Sequence, residues 1–326
     1  MLILLLTACS LDSLKTDALA LTPVPPETPE TLASCLASGE ELIELGSVRL
    51  GTAPLVDLEL APNGVVLALA EDGQLHRVNA AAPETAMASE TVGAHGAMLD
   101  LAGEQLLVDV GEVWVRSLES AAFTAVEQAG GDSAVSPDGA HVAFSAMVCG
   151  FDVGVVDVAT GERHELGGES GAHLPLGLEY LDDGRLAART YTSEGGAALV
   201  LFDGLIPERE WRFEGAPDWS AVLETAGGVV LTTTAGDGRQ GTLERIDVTR
   251  ETQSSVPLPF ARVAAVAGGG PLDWVLGEDG TVVAYDGASV LAVGTWRDAV
   301  DLVADPAGTW LALAGGDGAL RVFGCE

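Results

Sequence analysis

Aromatic residues are scarce, with Phe, Trp and Tyr making up 5% of the 326 residues. Basic residues are few as well: 15 Lys and Arg stand against 49 Asp and Glu, and the formal net charge is −34. Only one lysine occurs, Lys15. A field this negative repels phosphate backbones and excludes a nucleic-acid partner. The apolar run near the start is far shorter than the roughly 20 residues a membrane-crossing helix needs. Only four cysteines are present, with no Cys-x-x-Cys, and the five histidines never stand at ligand spacing, so no zinc site is read. Gly-x-Ser-x-Gly, phosphate-loop and EF-hand patterns are also missing. Distant side chains can still converge in a fold, so this weakens the case for an enzyme without removing it. Apolar residues, by contrast, are plentiful at 48% and spread along the chain, which excludes a disordered acidic tail.

From residue 40 onward, short apolar runs alternate with Gly, Asp-Gly and Pro-Gly turns, and no run keeps a helical period for three turns. The class is all-β. One turn recurs: Pro62-Asn63-Gly64, Ala102-Gly103-Glu104, Pro137-Asp138-Gly139, Asp182-Asp183-Gly184, Ala226-Gly227-Gly228, Gly268-Gly269-Gly270 and Pro306-Ala307-Gly308. From Gly64 to Gly308 the six steps average about 41 residues. A second marker closes the third strand of each unit at Asn79, Ser117, Asp157, Asp203, Asp247, Asp286 and Gly324, with the same period. Between the two markers lie nearly continuous apolar or small runs, from Val65–Ala70 to Thr309–Ala314, as expected of strands covered on both faces. Four-stranded units at this period predict a seven-bladed β-propeller of antiparallel blades over residues 40–326.

The unit Ser136-Pro137-Asp138-Gly139-Ala140-His141-Val142-Ala143-Phe144, followed by Val155-Val156-Asp157-Val158-Ala159-Thr160-Gly161-Glu162, closely resembles WD-like propeller repeats of the TolB type. The resemblance carries the fold and no functional residue, because the other six units match only in spacing and turns. The seventh unit supplies three strands, and Gly39–Gly46 echoes Gly161–Gly167, the outer strand of the third. An N-terminal strand is therefore expected to pair with the C-terminal blade and close the ring. That alignment brings Cys35 and Cys325 to one turn, as a disulfide or as two small buried thiols. Cys149 reads as a buried, unreactive thiol.

Leu6-Thr7-Ala8-Cys9 resembles the lipobox of bacterial lipoproteins, in which the cysteine is lipidated. On this reading residues 1–9 are a signal segment and residues 10–39 a flexible tether carrying the Pro-rich stretch Thr22–Pro29. Two features depart from the pattern: no basic residue precedes the apolar run, and the run is short. Ser10 after the cysteine, by resemblance to enterobacterial sorting rules, favours the outer membrane. Attachment by the lipid alone and a monomeric state are expected.

Asp57, Asp132 and Asp301 each stand seven residues before their turn glycine, and Gly177, Ala221 and Arg262 take that place elsewhere. The three acids either bind a cation such as Ca2+ at the channel mouth or hydrogen-bond within their own blades. Trp114, Trp274 and Trp310 fall in strands and read as packing, whereas Trp211, Trp219 and Trp296 fall in connections and are candidate contact aromatics of a binding face. The expected function is a non-enzymatic protein-binding or scaffold module of the cell envelope. The alternative is a propeller hydrolase or lactonase with a metal at the central channel.

Overall fold

A computed structural model describes residues 30–325 except 85, 111, 121, 127–131, 147–151, 167–173, 192–195, 214–215, 218–222, 226–227 and 236–239. Cys9, Cys149 and Trp219 lie outside the described residues. Seven antiparallel sheets make up the described chain, six of them built from consecutive strands and the seventh joining the first strand to the last three. Their innermost strands are Leu55–Leu60, Met98–Ala102, Ser133–Val135, Leu174–Tyr180, Ala216–Pro217 with Leu223–Thr225, Val263–Gly269 and Ala299–Ala304, which define blades 1 to 7. The chain is thus a seven-bladed propeller.

The two recurring markers have distinct physical roles. Gly64, Gly103, Gly139, Gly184, Gly228, Gly270 and Gly308, one per blade, all have positive φ between 59° and 87°, where a Cβ is disfavoured. The second marker is the last residue of the third strand in blades 1 to 5, at Asn79, Ser117, Asp157, Asp203 and Asp247. Several of these side chains fold back on the following turn: Asp157 accepts from the Thr160 amide at 2.7 Å, and Asp286, one residue past its strand, from the Ser289 amide at 2.7 Å. A short acceptor that satisfies the turn amides ends the strand and starts the hairpin.

Second strands are rich in apolar residues because both faces are buried, and the polar exceptions, such as Arg189 and Thr232, are buried as well. Along Val65–Ala70, Val66 and Ala68 pack with Ala312, Ala314 and Leu320 of blade 7. Leu67 and Leu69 face the other way, onto Leu99, Leu106 and Val108 of blade 2. Small side chains let the sheets approach closely, which accounts for the low aromatic content. Trp274, fully buried, packs between blades 6 and 7.

The ring closes as expected, with a shifted register. Blade 7 runs Ile43–Arg49, Ala319–Gly324, Leu311–Gly315, Ala299–Ala304, with Ile43 opposite Gly324 and Arg49 opposite Ala319. The closing strand is therefore 43–49 rather than 39–46. The reason is local: Gly39, at φ 81°, caps a preceding helix, Leu32–Ser38. This helix corrects the expectation of a flexible tether up to residue 39. Thr31 caps it with a capping box to Ser34, and Leu32 and Cys35, one turn apart on one face, are fully buried. Leu32 sits among Trp274, Leu302, Leu311 and Phe323, and its amide donates to the Gly308 carbonyl at 2.7 Å.

Gly64 and Gly280 have nearly the same backbone, φ 76° and 80°. A Cβ on Gly64 would meet nothing within 4 Å, whereas on Gly280 it would overlap the carbonyl of Trp296. Gly64→Ala is expected to cost about 1 kcal/mol, the conformational term alone. Gly280→Ala is expected to cost about 1–3 kcal/mol more. Urea unfolding of the two variants checks the difference, and equal losses would contradict it.

Candidate functional site

The innermost strand of each blade has one edge with no neighbouring strand, so its outward amides need acceptors of another kind. Aspartates supply them, each reaching from one blade to the next. Asp301 of blade 7 accepts the amide of Leu58 in blade 1 at 2.6 Å. Asp57 of blade 1 accepts the Leu99 amide in blade 2 at 2.6 Å. Asp100 of blade 2 accepts the Val135 amide in blade 3 at 2.6 Å, and Asp132 of blade 3 accepts the Leu178 amide in blade 4 at 2.7 Å. In Asp57, Asp132 and Asp301 the second oxygen accepts the amide of the following residue, at 2.9, 3.2 and 2.8 Å. A register shift just before Asp57, and another before Asp301, turns each carboxylate toward the adjacent blade.

The staples therefore run without a gap from blade 7 through blades 1, 2 and 3 to blade 4. Gly177 occupies the aspartate position in blade 4, opposite Arg189. The blade 4–5 junction is bridged by that arginine, fully buried, whose Nη1 donates to Thr232 Oγ1 at 2.6 Å. In blade 6 the structure corrects the count from the turn. Ala265, not Arg262, sits after the register shift where Asp57 and Asp301 sit in their blades. Arg262 precedes the strand, is exposed, and faces Glu278 at 3.7 Å. Ala221 lies outside the described residues.

The sequence pattern singled out three of the four aspartates, as cation ligands or acceptors within their own blades, but not their reach to the next blade. Asp100 escaped because it stands only three residues before Gly103, in a blade whose first hairpin is shorter. It occupies the register position of Glu59, one side chain further along the strand. Glu59 and Glu179 were also missed, although each lies two residues beyond an aspartate position and so on the same face of its strand. The electrostatic neighbours of Glu59 are Asp100, Asp57, Glu179 and Asp301, which places acids from blades 7, 1, 2 and 4 around one channel.

Burial is the main influence on these groups, and it raises all of them. Asp57 and Glu59 are pushed well above the usual carboxylate range, Asp57 also by the charge of Asp301 and a hydrogen bond to it. Asp100 and Asp132 are pushed up to about 7, against the lowering effect of the amides they accept. Asp301 rises to about 6, held down partly by its hydrogen bond with Asp57. Asp57 and Asp301 behave as a pair that shares one proton. Groups shifted this far are candidates for acid–base chemistry, but Asp57, Asp100, Asp132 and Asp301 are engaged by backbone donors. Asp57, Asp132 and Asp301 do not converge as a ligand set, and no cluster of three His, Cys, Asp or Glu suited to a metal occurs among the described residues.

The aromatic candidates divide. Trp211 is buried within the outer strand Ile206–Phe213 of blade 4, so it is a packing residue and not a contact of an exposed connection. Trp296 is half-buried, its ring 4.8 Å from that of Phe323. Trp274, within its strand, is fully buried; Trp310 packs against the blade 1–7 cluster but stands just before the strand Leu311–Gly315 rather than inside it.

No protein family matches the chain, and no curated protein matches it. Among solved structures it is similar to the Neurospora crassa Pan2 WD40 domain, at 14% identity and a TM-score of 0.65, over 88% of this chain and 96% of that one. The likeness establishes a WD40-like propeller fold.

The raised carboxyls fix the sign of the pH dependence. Each stabilises fully below its unfolded value near 4 and loses that contribution as pH rises through its folded value. For Asp301 the loss runs from about 4 to about 6, and for Asp100 and Asp132 from about 4 to about 7. The protein is expected to melt several degrees higher at pH 5.5 than at pH 8. Asp132→Asn, whose amide oxygen still accepts from Leu178, should flatten this slope. Asp132→Ala leaves the Leu178 amide unpaired and should cost about 1–3 kcal/mol at both pH values. Thermal melts across pH read both effects, and a wild-type midpoint that climbs from pH 5.5 to 8 would refute them.

Proposed function

We propose that the chain is a non-enzymatic protein-binding or scaffold module, carried at the cell envelope by a lipid on Cys9. The observation that carries the binding role is the engagement of the channel acids. Their carboxylates join blade to blade, which stiffens the ring and leaves its loop faces, not a reactive centre, to meet a partner. A rigid frame lowers the ordering cost of association, since little has to be immobilised when a partner docks. The WD40-like fold supports the same role, as a scaffold on which binding sites are grafted.

The address rests on Leu6-Thr7-Ala8-Cys9 and on the Pro-rich segment that follows it in the sequence, Thr22–Pro29. A lipid chain and an extended spacer would hold the ring at a membrane surface without a transmembrane element. Among the described residues no helix is long and apolar enough to cross a membrane. The TolB-type resemblance of blade 3 and the serine at position 10 favour a protein partner at the outer membrane.

Expression of the wild-type and Cys9→Ser chains in a bacterial host tests the address. Wild-type is expected in the membrane fraction and Cys9→Ser in the soluble fraction; identical distributions would remove the lipid anchor. Cross-linking in intact cells is expected to recover a defined protein partner with the wild-type chain. A stoichiometric metal ion retained through purification without chelator would instead favour the metal-hydrolase alternative.

A further inference from the structure

Two thiols have no part in the channel or in the proposed binding role. Cys35 lies on the inward face of helix Leu32–Ser38 and is fully buried. Cys325 directly follows Gly324, the last residue of the strand that pairs with Ile43–Arg49, and it is half-buried. Both are free thiols in this structure, and they converge on one carbonyl: Cys325 Sγ lies 3.7 Å from the Thr31 oxygen, which also accepts the Cys35 amide at 3.1 Å, and Cys35 is an electrostatic neighbour of Cys325. Two distant stretches of chain thus bring their thiols together at the seam of the ring.

We propose that Cys35 and Cys325 form a disulfide that pins the N-terminal helix to blade 7. The bond does not rest on the envelope reading, since it requires only the two thiols and an oxidant that carries a disulfide. Cys325, the more accessible of the two, loses its proton to solvent and attacks one oxidant sulfur, breaking the oxidant S–S bond and releasing one thiol. Cys35, deprotonated in turn, attacks the Cys325 sulfur of the mixed disulfide and releases the second thiol. Two protein thiols are oxidised and one external disulfide is reduced to two thiols.

The burial that places the sulfurs together also governs when they react. Burial first, then Cys35 and the nearby Glu30 and Glu40, push the Cys325 thiol up to about 12. At pH 8 about one molecule in 10⁴ then carries its thiolate, the form that exchanges. Oxidation of the docked helix is correspondingly slow, and oxidation of the unfolded chain is not. The bond therefore forms as the chain folds, and once buried it is shielded from reductant.

The test uses the full chain with all four cysteines, refolded from urea in a buffer of oxidised and reduced glutathione, alkylated, and digested without reduction. A linked peptide joining Cys35 to Cys325 is expected, with a melting midpoint about 5–10 °C above that of the same chain refolded under dithiothreitol. The folded oxidised chain should keep the bond in dithiothreitol at least tenfold longer than the urea-unfolded one. Cys325→Ser should abolish the linked peptide and the melting difference; the oxidised and reduced wild-type chains give the same comparison if that variant fails to fold. Recovery of both cysteines in alkylated form after oxidative refolding, a link from either one to Cys149, or equal midpoints for the two wild-type forms would overturn the proposal.

Discussion

A carboxylate that reaches from one inner strand to the open amide edge of the next is the interaction on which this ring depends. Inner strands of a propeller surround the axis without hydrogen-bonding to each other, so each leaves backbone donors with neither a strand nor a full share of solvent. Unpaired donors of this kind are costly when buried. An aspartate is short enough to stay local and, with two oxygens, can accept from its own strand and from the neighbour at once. Four in succession tie blades 7, 1, 2, 3 and 4 into one arc. Across the 4–5 junction a buried arginine takes over, and at 5–6 the half-buried Arg245, paired with the buried Asp273 at 3.0 Å, spans the gap. Because the staples are acids crowded around a common channel, they repel one another, and protons relieve the repulsion.

Two populations of acid follow from this arrangement. Asp157, Asp247 and Asp286 stand at hairpin turns away from the channel, are lowered chiefly by backbone amides of those turns, and keep their charge over the ordinary pH range. Asp100 and Asp132, pushed up to about 7, are only partly ionised at neutrality. The formal charge of −34 therefore overstates what the folded chain carries. The turn group solvates the ring and disfavours its association with anions, while the channel group holds the ring together.

What the sequence made legible was the chemistry of turns. Glycine at positive φ and a short acceptor at the end of the third strand are local requirements, so they recur in phase, and the number of blades could be counted from them. Inter-blade geometry was less accessible. Counting back from the turn glycine located Asp57, Asp132 and Asp301 but passed over Asp100, because the hairpin of blade 2 is shorter and its register differs. Taken from Gly269, the same count led to Arg262 instead of Ala265, since the first hairpin of blade 6 turns directly from Gly269 to Leu272. Helix Leu32–Ser38 was hidden for another reason: seven residues are too few to show a period, and its stability comes from Leu32 entering a gap in the ring that only the folded structure defines. Trp211 was misplaced because the outer strand of blade 4 is longer than its neighbours imply.

The seam in blade 7 has a consequence for how the ring comes into being. Ile43–Arg49 cannot find its partner until Ala319–Gly324 is available, about 270 residues further along. Blades 1 to 6 are each complete from contiguous chain and can form in order during synthesis, whereas the closing blade joins the most distant parts of the domain. Until then the closing strand and the flank of blade 1 that packs against blade 7 stay uncovered, exposing Val66, Ala68 and Val78. An arc that cannot yet close is the species most prone to join another copy of itself, so the lifetime of that open arc, more than the stability of any finished blade, sets the yield of correctly closed rings.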